Sequence, residues 1–156
     1  MKPLEQFICD TCHSLIEKPH DGWLEWLDDN EGVHSFRMVH HKSSCYQHAA
    51  NRHVKDIHLN YFTGPENLPN LYKFLDPGYQ YNRDLQPVVN NLQIAEFTEV
   101  LRRLTIPHYE EARLYFDQAE QGGFFDGANE VSPYKQDILK RIIHNYKNNS
   151  DSNKLI

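Results

Sequence analysis

Cys9-Asp10-Thr11-Cys12 and Val39-His40-His41-Lys42-Ser43-Ser44-Cys45-Tyr46-Gln47-His48 are the stretches on which the reading of this chain turns. Cys9, Cys12 and Cys45 are its 3 cysteines, and all fall in the first third. Thiolates are soft donors, and a Cys-x-x-Cys turn can aim two sulfurs at one ion. Three thiolates and one imidazole complete the closed tetrahedral shell that zinc prefers, with Zn–S near ~2.3 Å and Zn–N near ~2.0 Å. The imidazole has three candidates. His41 ends an expected strand shortly before Cys45, and the spacing favours it. His40 is one step away and would face the other side of that strand. His48 follows Cys45 so that Cys45-x-x-His48 mirrors the first pair. The expected metal ligands are therefore Cys9, Cys12, His41 and Cys45, with His40 and His48 as rivals for the third of these positions.

Outward from the cysteines, Phe7-Ile8 and Leu15-Ile16 read as strands entering and leaving the knuckle. Residues 17–22 are a loop by turn chemistry. Trp23 to Leu27 suits a strand, Asp28 to Gly32 a polar turn, and Val33 to His41 a return strand with Phe36 and Met38 on one side and Arg37 on the other. Ser43 or Ser44 can cap a helix start, and Cys45 to Ile57, free of Pro and Gly, is expected to carry that helix. The order of knuckle, hairpin and helix start resembles the zinc-ribbon and treble-clef groups of zinc modules, over Cys9 to roughly His58. This sequence departs from them in two places: Cys45 has no Cys-x-x-Cys partner, and His13 stands where a small residue is usual.

The plain alternative is three buried free thiols, since cysteine is often buried without a metal. A redox pair would want a helix N-terminus in a βαβ setting, which is not evident. With at least four donors close in sequence the shell is expected to be saturated, so the zinc is structural rather than catalytic. Without metal such a short stretch would struggle to hold its fold.

Beyond residue 60, Gly64-Pro65 and Leu68-Pro69 break the chain, and Leu71 to Leu75 can form a short helix. Residues 76–91 are rich in Tyr, Asn, Pro and Asp and read as a connection. Ile94, Phe97, Leu101 and Leu104 then recur on one helical face. Pro107 can open a second helix, with Glu110 and Glu111 at its positive end, running to about Glu120 and stopping at Gly122-Gly123. Ser132-Pro133 opens a third, with Ile138, Leu139, Ile142, Ile143 and Tyr146 as its apolar face. The expected class is α+β: a small N-terminal zinc-knuckle plus β-hairpin module (residues 1–60), a connecting segment (61–91), an all-helical C-terminal region (92–147) and a disordered tail (148–156).

The chain has 156 residues, 39% of them apolar and 12% aromatic, enough for a compact core. Its formal net charge is -6. Tight binding to a polyanion needs several phosphates neutralised, so charge disfavours a nucleic-acid partner. No run approaches the roughly 18 apolar residues of a membrane span, and the N-terminus lacks the h-region of a signal peptide. An odd cysteine count argues against a disulfide framework. The expected location is cytoplasmic, with no membrane partner.

Several functions compete. His40, His41, Asn51, His53 and His58 contain the order of a His-Asn-His metal nuclease, but in compressed spacing and an acidic chain. Lys135, Lys140, Arg141 and Lys147 on the third helix could face nucleic acid, against the simpler reading of a solvated face. Tyr109, Tyr115, Phe116, Phe124 and Phe125 are large aromatics of the kind that anchor interfaces, against the simpler reading of core. No glycine-rich phosphate loop, serine-nucleophile elbow or kinase set is present. The expectation is a zinc-stabilised regulatory or adaptor protein whose partner is another protein.

Overall fold

Asp29 and Gly32 close the hairpin that organises the N-terminal half. The Asp29 carboxylate accepts the Glu31 N–H at 2.9 Å, and Gly32 takes φ 115°, a value that costs glycine little. The strands it joins are β3 (Gly22–Asp29) and β4 (Gly32–His40), in a register that sets Leu24 against Met38 and Gly22 against His40. In this computed structural model residues 1–46, 53–75, 92–127, 129 and 131–152 are described, with the backbone alone for 148–152.

Before the hairpin, β1 (Phe7–Ile8) and β2 (Leu15–Ile16) form a two-stranded ladder around the knuckle. After it comes a third strand, β5 (Val54–His58), antiparallel to β3, so the sheet runs β4-β3-β5. The expected helix to Ile57 is therefore corrected over this stretch: Val54–His58 is extended, and residues 47–52 lie outside the described ones. Absence of Pro and Gly permits a helix but does not require one. β-branched Val54 and Ile57 suit a pleated surface, and the free edge of β3 supplies partners for their backbone groups. Exposed Lys55 and Asp56 charge the outer side of the new edge strand.

The helical elements follow in order: α1 (Asn67–Tyr72), α2 (Ile94–Thr105), α3 (Tyr109–Ala112), α4 (Phe116–Gln121) and α5 (Gln136–Ser152). The architecture is α+β, with antiparallel strands first and helices in the C-terminal half. α1 begins earlier than the expected Leu71, because Pro69 falls in its first turn, where a missing N–H costs nothing. The expected helix over residues 107–120 is broken into α3, a 3-10 turn at Arg113–Tyr115, and α4, which stops at Gly122 as read. Asn129, rather than Ser132, organises the entry to α5: its Oδ1 accepts the Val131 and Ser132 N–H groups and the Ser132 hydroxyl. α5 continues through Ser152, into residues read from sequence as tail.

Two apolar clusters result. The larger joins Phe7, Ile16, Leu24 and Met38 of the strands to Phe97, Val100 and Leu104 of α2. Phe97 meets Phe36 at 5.5 Å and Phe74 at 5.1 Å between ring centroids. Val100, not Ile94, completes the α2 stripe, and Ile94 is left exposed. The second cluster gathers Tyr109, Ala112, Ala119, Leu139 and Ile142, with Phe124 and Phe125 packed against it. No helix among the described residues is long and apolar enough to cross a membrane.

Candidate metal centre

The knuckle is built by backbone groups before any metal enters the account. Cys9 N–H donates to Ser14 O at 3.0 Å and His13 N–H to Cys9 O at 2.9 Å, which closes the turn. His13 pays for that closure sterically, with φ 57°. The turn is docked on β4: Asp10 N–H donates to Met38 O at 2.8 Å, and Met38 N–H donates to Asp10 Oδ2 at 2.7 Å. Thr11 Oγ1 donates to Cys45 O at 2.7 Å, so the loop after β4 is tied to the same turn.

This places Cys9, Cys12, His40 and Cys45 together, with one ligand atom from each within 4.8 Å of the others. These four residues can hold a metal ion. His40 is oriented for it. Its Nε2–H donates to Leu15 O at 3.1 Å, while Nδ1 lies 3.4 Å from Cys12 Sγ. A ring nitrogen that carries its proton toward a carbonyl leaves the other with a free lone pair, the arrangement that fixes a ligating tautomer.

Burial and hydrogen bonding set the three thiols apart. At Cys9 burial raises the pKa, but backbone N–H groups of Cys12, Thr11 and His40 outweigh it and hold the thiol below its ordinary value. The Ser14 N–H does the same for Cys12. Cys45 moves the other way, raised by burial and by the two neighbouring sulfurs. Cys9 and Cys12 thus ionise more easily than an ordinary thiol and Cys45 less easily, and a cation among them would favour the charged form of all three.

His41, favoured by the spacing, lies outside this donor group, and the group takes His40 in its stead. The reason is the strand's alternation. His40 pairs with Gly22 and points with Leu24 and Met38, toward the knuckle. His41 turns the other way, its ring 4.9 Å from Trp23 and 5.3 Å from His58. His48 and Asn51 lie outside the described residues. The His-Asn-His order is thus divided: His40 sits with the sulfurs, and His41 and His58 pack around Trp23.

No pattern along the chain points to what stands behind the knuckle. Arg103 of α2, 5% exposed, forms ion pairs with Asp10 at 2.7 Å and Glu110 at 2.8 Å. Glu110, read as a helix-end charge, is 4% exposed and also takes Arg113 at 2.9 Å. Comparison with known proteins returns no match: no family model, no curated protein and no solved structure matches the chain.

Proposed function

We propose that this chain is a zinc-stabilised adaptor that acts by binding another protein in the cytoplasm, with zinc held by Cys9, Cys12, His40 and Cys45. The observation that carries the zinc reading is the His40 ring: its Nε2–H donates to Leu15 O and its Nδ1 lies 3.4 Å from Cys12 Sγ, inside the cluster with Cys9 and Cys45. Three sulfurs and one nitrogen match the structural zinc shell, and a full protein shell leaves no position for an activated water. Free thiols at all three cysteines agree with a reducing compartment.

The adaptor reading rests on surface chemistry. Phe124 and Phe125, the sequence's candidate anchors, pack against the second core, Phe125 at 5.9 Å from Phe116 and Phe124 at 6.3 Å from Tyr146. Tyr61, Leu68, Tyr72 and Leu75 are instead the exposed large side chains that gather in one stretch, around α1. Exposed aromatic and aliphatic side chains grouped in one stretch are suited to anchoring a protein partner. Of the cations on α5 that could face a nucleic acid, Lys147 pairs with Glu111 at 2.7 Å and Arg141 lies over Phe124 at 5.2 Å, while Arg103 and Arg113 are paired with carboxylates.

Crosslinking in cells followed by identification of captured proteins tests this. A specific partner captured by the native chain should be lost by Tyr72→Asp/Leu75→Asp, with zinc content and melting temperature unchanged. Capture that survives the double substitution removes α1 as the interface. Salt-sensitive retention on nucleic acid would point to the other class of partner.

A further inference from the structure

Asp10 lies between the two knuckle cysteines, and its carboxylate is gripped from the far end of the sequence. Arg103 Nη1 donates to Asp10 Oδ2 at 2.7 Å, and Nη2 donates to Ile8 O at 2.9 Å. The same guanidinium donates through Nε to Glu110 Oε2 at 2.8 Å and through Nη2 to Glu110 Oε1 at 3.0 Å. Glu110 in turn accepts the Ile8 N–H at 2.8 Å. Both backbone groups of the residue that precedes Cys9 are therefore satisfied by side chains of the helical half.

We infer that Arg103 is a positioning residue for the metal centre, linking retention of the ion to docking of α2 and α3 on the knuckle. The inference rests on the metal-site reading above. Its logic is geometric. Cys9 and Cys12 can aim at one ion only while the 8–13 backbone keeps its turn. That turn is held by Met38 on one side and by Arg103 on the other. Remove the guanidinium and two carboxylates, Asp10 and Glu110, are left facing each other across β1. Arg113, 3.6 Å from Asp10, compensates in part. Like charges then favour separation of the knuckle from α3. Linkage makes the effect reciprocal: whatever releases α2 and α3 weakens the ion's hold, and loss of the ion loosens the helices. Lysine cannot replace the fork, because a point charge cannot serve Asp10, Ile8 and Glu110 together.

The test is zinc affinity of the full-length chain, measured by competition with a chromogenic chelator, alongside the cobalt(II) absorption spectrum as a report of tetrahedral geometry. Arg103→Met should bind zinc at least tenfold more weakly than the native chain, with Arg103→Lys between the two and Asp10→Asn also weakened. Leu71→Ala, which opens a cavity beneath α1, serves as a control for general destabilisation. At matched urea midpoint its zinc affinity should exceed that of the Arg103 variants. If Arg103→Met does not fold, Arg103→Lys and Asp10→Asn carry the comparison. Native-like affinity in these variants, or weakening no greater than in Leu71→Ala at equal stability, overturns the linkage and leaves the metal site standing. Less than half an equivalent of metal in the native chain overturns both.

Discussion

His13 follows the second knuckle cysteine in a left-handed conformation, φ 57°, where a Cβ clashes with backbone and the cost is about 1–2 kcal/mol. The side chain is exposed, so little is lost with it. His13→Gly should raise unfolding free energy by about 1 kcal/mol in the zinc-saturated protein, read as a higher urea midpoint. An unchanged or lower midpoint would mean that the imidazole contributes something not visible in the turn. The departure from a small residue at this position was legible in the sequence, and so was the meeting of Cys9, Cys12 and Cys45 at one point. The choice between His40 and His41 was not. Adjacent strand residues face opposite sides, so a shift of one position exchanges a donor beside the sulfurs for a surface ring, and only the pairing of His40 with Gly22 decides which is inside.

α3 is a four-residue helix, Tyr109–Ala112, too short to be held by its own hydrogen bonds. Glu110 anchors it to β1. Burial, the largest influence on that carboxyl, raises its pKa, yet Arg103 and Arg113 outweigh it and hold it below its ordinary 4.5. A carboxyl depressed on folding contributes its full stability above the unfolded value and loses it as pH falls through the folded one. The share of stability that Glu110 contributes should therefore hold from pH 7 to about 5 and then fall as the solution is acidified below 4.5. Glu110→Gln should cost about 3 kcal/mol at pH 7, as expected for breaking a buried pair, and should flatten the acid limb of urea midpoint against pH. An equal slope in both proteins would remove Glu110 as its source. This anchor left no trace in sequence, because Ile8 and Glu110 are 102 positions apart and nothing periodic relates them. β5 was missed for a related reason: Val54–His58 is extended because β3 offers an open edge, a tertiary fact.

The amphipathic stripe of α2 was readable, but its destination was not. Phe97, Val100 and Leu104 complete the same core as Phe7, Leu24 and Met38, so the helices begin where the sheet's apolar face ends. Phe97, 1% exposed, touches strand and connecting-segment aromatics at once. Phe97→Ala should cost about 3–5 kcal/mol, and the near-ultraviolet signals of Trp23 and Trp26 should be lost in the same thermal transition as the far-ultraviolet helical signal. Two separated transitions would mean that sheet and helices are independent units. On the proposed reading, the knuckle turn packed into that shared core depends on a bound ion. X-ray absorption at the zinc edge, on protein prepared without added metal, addresses that dependence directly. The expected shell is three sulfurs at about 2.3 Å and one nitrogen at about 2.0 Å, with the nitrogen kept in His41→Ala and lost in His40→Ala. Substoichiometric zinc, or a nitrogen that survives His40→Ala and disappears in His41→Ala, would contradict the site as described.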